Sequence, residues 1–112
     1  MLRVANPADE RRSEDVECFV DSGAMYAVIP GTLLERLGIV PESIQRFRLA
    51  DGTVIVRRLA NATLEFEGVR RASPVVVGEP GDSALLGALS LEAFGLMLDP
   101  LKRELRPIEL RM

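Results

Sequence analysis

Histidine and tryptophan are both missing from these 112 residues. Without an imidazole there is no Ser-His-Asp or Cys-His nucleophilic machinery, and no His-ligated zinc or iron. Cys18 is the single cysteine, so an internal disulfide is excluded and the redox compartment is only weakly constrained. Next to Glu17, in a stretch that becomes apolar, it reads as a small buried apolar residue. Aromatics make up 4% of the chain, so its core must be aliphatic. Positive charge is not in excess either: 14 basic and 17 acidic side chains are interspersed, for a net charge of -3. That balance argues against a nucleic-acid partner, which needs clustered basic charge. Arg57-Arg58 and Arg70-Arg71 read as solvated strand or turn positions. Long apolar runs are lacking too. The longest charge-free segment, Ser22 to Leu34, has 13 residues and contains Pro30, too short to span a bilayer. The start of the chain is soon charged (Asp9, Glu10, Arg11, Arg12) and has no signal-type apolar region. A cytoplasmic location and no membrane partner are therefore expected.

What is present is ordinary for a globular protein, with 47% apolar and 28% charged residues. The length suits one domain over residues 1–112. Leu2 to Val4 reads as a short strand, Asn6 to Asp9 as a turn, and the charged stretch to Asp15 as a loop. Val16 to Val20 and Ala27 to Ile29 follow as strands. Pro30 to Gly38 has helix punctuation, with proline at the entry and glycine at the exit. Gln45 to Ala50 and Thr53 to Leu59 flank Asp51-Gly52, a two-residue hairpin signal. Asn61 to Phe66 alternates up to the Glu67-Gly68 turn, and Pro74 to Gly78 is a wholly apolar strand. Glu79 to Asp82 is a loop, Leu85-Leu86 an apolar pair, and Ser90 to Phe94 a short helix. Leu96 to Leu98 and Glu104 to Arg106 make a last pair of strands around Asp99 to Lys102. Ile108 to Met112 is apolar at every second position, as an edge or interface strand would be. Short strands at this spacing make the chain mainly β.

One stretch carries chemistry. In Phe19-Val20-Asp21-Ser22-Gly23-Ala24 a carboxylate ends an apolar strand, and a hydroxyl, a glycine and a small residue follow at once. A carboxylate at such a position is costly unless paired or neutralised. Held at the mouth of an apolar cleft, it is presented as an acid/base group able to activate water.

In order along the chain, three features resemble the retroviral-type (retropepsin-like) aspartic peptidases in their small stand-alone form. Val20-Asp21-Ser22-Gly23-Ala24 resembles the catalytic loop of that family. Ala50-Asp51-Gly52-Thr53 falls where the family has its flap. Ala84-Leu85-Leu86-Gly87 is similar to the apolar segment before the family's helix, with Leu85 placed 64 positions after the aspartate. The resemblance covers roughly residues 16 to 107. It implies a closed acid-protease-like β-barrel with one short C-terminal helix, forming a two-fold dimer. It implies Asp21, Ser22 and Gly23 as catalytic residues. Ala24, Ala50, Asp51, Gly52, Thr53 and Leu86 would contact substrate, with Leu85, Leu86 and Gly87 packing behind the loop. No metal and no organic cofactor are implied.

Peptide hydrolysis by carboxylates needs two of them, one ionised and one protonated, close enough to share a proton. This chain has one Asp-Ser-Gly. Asp51 and Asp99 lie in turn contexts, and Asp82 lacks the Ser/Thr-Gly pair that should follow, since Ser83 is followed by Ala84. The expectation is a homodimeric endopeptidase that acts on an extended peptide or unfolded protein, with one Asp21 per chain. The alternative is a catalytically silent dimerisation or peptide-binding module with the same fold.

Overall fold

The computed structural model describes residues 1–99, 101–109 and 112. Ten strands and two short helices follow one another along the described chain. Strands β1 (Leu2–Asn6) and β2 (Asp9–Val16) form an antiparallel hairpin. Here the structure corrects the sequence, which read this charged stretch as a loop. As an outermost strand, β2 tolerates polar residues on both faces. Its carboxylates are also matched by arginines: Asp15 to Arg3, Glu14 to Arg36, Asp9 to Arg11 and Glu10 to Arg70. The expected strand from Val16 to Val20 is broken at Glu17-Cys18, which leaves β3 as Phe19–Val20.

β4 (Ala27–Pro30) leads into α1 (Gly31–Arg36), whose exit is closed by two backbone bonds. The Ile39 N–H donates to the Leu34 carbonyl at 3.0 Å, and the Gly38 N–H to that of Glu35 at 3.0 Å. These satisfy carbonyls that the short helix leaves free. β5 (Ser43–Arg48) and β6 (Val54–Phe66) form a long hairpin. β6 runs unbroken for 13 residues where the sequence suggested two strands. Its first half pairs with β5, and its second half lies between β1 and β7 (Val69–Gly78). Asn61, at the suspected break, stays in the ladder opposite Pro74 and binds the Glu42 carboxylate. The Glu67-Gly68 turn closes as read, both residues having positive φ (50° and 80°).

The last elements are β8 (Leu85–Leu86), α2 (Ala88–Ala93), β9 (Leu96–Asp99) and β10 (Glu104–Pro107). The main sheet is ordered β2-β1-β6-β7-β4-β8-β3, with β5 added to β6; β9 and β10 pair separately. The chain is thus mainly β. Among the described residues the path is open, with β2 and β3 at its ends and not joined to each other. Two short helices are present where the resemblance implied one. In the tail, Ile108 donates to the Gly95 carbonyl at 2.9 Å and forms no strand. Residues 110 and 111 of the expected interface strand lie outside the described residues.

The core is aliphatic, as the scarcity of aromatics demanded. Leu2, Val4, Ile29, Leu34, Leu64, Val75 and Leu86 are buried to 1% exposure or less. Each such side chain stabilises the fold by about 1.5–3 kcal/mol. Phe66 and Phe94 pack only at its margin. Cys18 is half-buried against the core, and burial raises its thiol pKa. No described helix is long and apolar enough to cross a membrane.

Candidate active site

Asp21 follows directly on β3, and its position is set by β8. The two strands pair in parallel, Phe19 with Leu85 and Val20 with Leu86. The ladder continues one step further, where the Asp21 N–H donates to the Leu86 carbonyl at 3.0 Å. Beyond Asp21 the chain turns back on itself. The Gly23 N–H donates to Asp21 Oδ1 at 2.9 Å, and the Ala24 N–H to the Asp21 carbonyl at 3.2 Å. The carboxylate is therefore held by a turn that the next two residues make, while it stays exposed to solvent.

Gly87 fixes the rest of the loop. A Cβ there would lie 2.4 Å from the Tyr26 carbonyl oxygen and 3.0 Å from that of Ala24. Only glycine permits so close a backbone crossing. Immediately after it, α2 begins without a side-chain cap. Its first free N–H groups are used instead by the Asp21 loop: Ala88 donates to Ala24 O at 2.8 Å and Leu89 to Met25 O at 2.9 Å. The apolar-apolar-Gly segment thus braces the Asp-Ser-Gly loop through backbone contacts.

Above the loop lies a cavity of about 560 Å³ that opens to solvent. Asp21, Gly23 and Ala24 line one side, and Phe47, Arg48, Leu49 and Ala50 of the β5–β6 hairpin line the other. Tyr26 and Phe47 meet across it edge to face, with ring centroids 5.8 Å apart. This contact ties the hairpin to the segment that follows Asp21. The tip is a three-residue loop, Ala50-Asp51-Gly52, and not the two-residue turn that Asp51-Gly52 suggested. Leu49 N–H donates to Thr53 O at 2.8 Å, and Gly52 N–H to Leu49 O at 2.9 Å. Of these residues only Gly52 has positive φ, 87°, whereas a two-residue turn of that type needs two. Asp51 Oδ1 accepts from the Thr53 N–H at 2.9 Å, and that bond keeps the Asp51 carboxyl pKa low.

The structure brings Asp21, Gly23, Ala24 and Ala50 to one cavity. Ser22 is exposed and makes no side-chain hydrogen bond among the described residues. Asp51, Gly52 and Thr53 shape the tip without lining the cavity, and Leu86 is buried behind the loop at 1% exposure. Its neighbour Leu85 lines the cavity in its place.

Sequence reading missed the cavity's second carboxylate and the cation that holds it. Arg57, read as solvated, makes a two-pronged ion pair with Asp82: Nε to Oδ2 at 2.8 Å and Nη2 to Oδ1 at 3.0 Å. Asp82 Oδ2 also accepts from the Glu79 N–H at 2.8 Å. The Arg57 guanidinium, and then that N–H, hold the Asp82 carboxyl below the usual carboxylate range. Nothing local in the sequence signals this pair, since its members lie 25 positions apart. The described residues hold no group of three or more His, Cys, Asp or Glu placed to bind a metal ion.

No curated protein and no solved structure matches the chain. A family model described as aspartyl protease matches residues 10–89, a span containing the Asp21 loop, the hairpin and Leu85-Leu86-Gly87. That span is most of the chain, and its ordered features are those built into the cavity: the chain belongs to the aspartyl protease family.

Proposed function

We propose that the chain is an aspartic endopeptidase, active as a homodimer in the retropepsin-like form of the fold, with Asp21 from each copy forming the catalytic pair. One observation carries this reading. The cavity has two carboxylates, Asp21 and Asp82, and Arg57 binds both oxygens of the second. A carboxylate committed in this way stays ionised and cannot serve as the protonated acid that polarises a scissile carbonyl. The complementary group must come from a second copy, in line with an Asp-Ser-Gly that occurs once in the chain. Phe19 and Met25, close to Asp21 in the chain, are 73% and 62% exposed, and such apolar surface suits a partner.

In the dimer two carboxyls close together share one proton and titrate as a pair. The ionised one takes a proton from water, the protonated one donates a hydrogen bond to the peptide carbonyl, and water adds to the carbon. No covalent enzyme intermediate forms. The Gly23 N–H, already bonded to Asp21 Oδ1, keeps that oxygen oriented. The hairpin tip around Ala50 closes over an extended peptide or unfolded protein, whose alternate side chains enter the apolar part of the cavity.

The test is Asp21→Asn. It should lower cleavage of an acid-unfolded protein by at least about a thousandfold, as expected on removing an acid/base group. The dimer seen by sedimentation should survive. Cleavage undiminished by the substitution would sink the reading. A dimer that cleaves nothing in either form would instead point to a silent peptide-binding module.

A further inference from the structure

The outer face of the β5–β6 hairpin reaches the cavity only at its tip end, where Arg48 is among the lining residues, and the rest of it lies apart from the cavity. The register pairs Ile44 with Arg58, Arg46 with Val56 and Arg48 with Val54. Alternation along each strand puts these six residues on the side opposite Phe47 and Ile55. Ile44 is 69% exposed and Val56 53%. No carboxylate interrupts the face, and the one next in register, Glu42, is engaged by Asn61. Arg46 and Arg58 make no side-chain hydrogen bond or ion pair among the described residues, and Arg48 reaches only the Gly52 carbonyl, at 3.2 Å. By contrast, Arg3, Arg11, Arg36, Arg57 and Arg70 each hold a carboxylate. Arg12 and Arg71 also lack a carboxylate, but each is spent on backbone carbonyls, Arg12 on that of Arg36 and Arg71 on those of Ala93 and Arg70. Arg46, Arg48 and Arg58 are the three that share one face in a chain of net charge -3.

The same hairpin has a free backbone edge. β5 pairs with β6 and with no other described strand. Its six residues contain no proline and no lysine, the usual protections of an exposed edge. We infer that this edge takes up an extended, acidic polypeptide segment as an added strand, whose alternate carboxylates lie beside Arg46 and Arg48. The backbone edge supplies the affinity and the arginines supply the choice of partner.

A lipid surface has no backbone to complete such a ladder. A second copy of the chain is a poor occupant, because its own acidic edge, β2, has Asp9, Glu10, Glu14 and Asp15 already paired to arginines. The inference does not depend on whether the chain cleaves peptides.

The experiment uses the Asp21→Asn protein, so that no peptide is consumed. A labelled peptide of about ten residues alternating Glu and Val, long enough to cover a strand, is compared by fluorescence anisotropy with its Lys-Val counterpart. The acidic peptide should bind at least about tenfold more tightly, and should weaken as salt rises. Arg46→Glu should remove that preference, and Arg46→Gln should reduce it. Hydrogen exchange on the protein with unaltered β5 should show new protection at residues 43–48. Equal binding of the two peptides would overturn the inference. So would protection confined to residues 21–26, or binding of phosphatidylglycerol vesicles without binding of the acidic peptide.

Discussion

Gly87 and Tyr26 cross backbone to backbone, so closely that a Cβ on Gly87 would lie 2.4 Å from the Tyr26 carbonyl oxygen and 2.6 Å from its carbon. Both contacts are with main chain, so no side-chain rotation can relieve them. Gly87→Ala must displace either α2 or the segment that carries Asp21. We expect a loss of about 2 kcal/mol and a fall in Tm of roughly 8 °C, read by thermal and urea denaturation. Activity should fall further than stability, because the displaced segment orients Asp21. An alanine variant as stable as the parent would show that the crossing is not tight in solution.

Asp82 and Arg57 make stability depend on pH in a defined direction. The Asp82 carboxyl is held below its ordinary value of 3.8, chiefly by the Arg57 guanidinium. The pair's contribution is therefore complete above that value and fades as pH falls through the lower, folded-state value. Asp82→Asn should cost about 1 kcal/mol at neutral pH. The difference from the parent should shrink steadily below about pH 4. Urea titrations at a series of pH values would show it, and a difference that grew in acid would contradict the assignment.

Gly52 has φ of 87° at the hairpin tip, with nothing within 4 Å of a Cβ built there. The cost of replacing it is thus in the backbone and not in packing. Gly52→Val should cost about 1–2 kcal/mol, and Gly52→Asn, which tolerates that conformation, much less. For a peptidase whose hairpin closes over substrate, the valine variant should also raise KM. Equal effects of valine and asparagine would rule out a conformational cause.

Phe19 is 73% exposed two residues before Asp21, although its backbone is locked to Leu85 in the β3–β8 ladder. Phe19→Asp should leave the monomer fold intact, since no core contact is lost. It should shift a dimer towards monomer by at least about tenfold, as expected of a charge placed in an apolar interface. Sedimentation velocity at several concentrations gives the answer, and an unchanged association constant would move the interface elsewhere.

The local elements of this chain were legible because their signals are local. Short apolar runs and turn residues marked β4, β9, β10 and the second half of β7, Pro74 to Gly78, while its first half, Val69 to Ser73, was not read as strand. The Glu67-Gly68 turn closed as its residues suggested. Proline and glycine bracketed α1. The Asp-Ser-Gly loop and the Leu-Leu-Gly segment were visible as separate motifs. Charge misled over β2, because an outermost strand can be polar throughout when arginines, three from other elements and Arg11 from its own, answer its carboxylates. The tip misled by one residue, because Asp-Gly suits both a two-residue turn and a longer loop with glycine last.

By itself the sequence determined a mainly β chain, an aliphatic core, a lone carboxylate with a hydroxyl and glycine behind it, and the exclusion of imidazole chemistry. Those properties depend on residue type and on neighbours a few positions away. Tertiary structure alone decided that Leu85 faces the cavity while Leu86 faces the core, that Gly87 is the crossing point under Asp21, and that Arg57 neutralises Asp82. It alone gathered three arginines without carboxylate partners on one face of a hairpin. Each of these depends on strand register and on contacts between distant segments, and a shift of one residue in register would turn every such side chain to the opposite face.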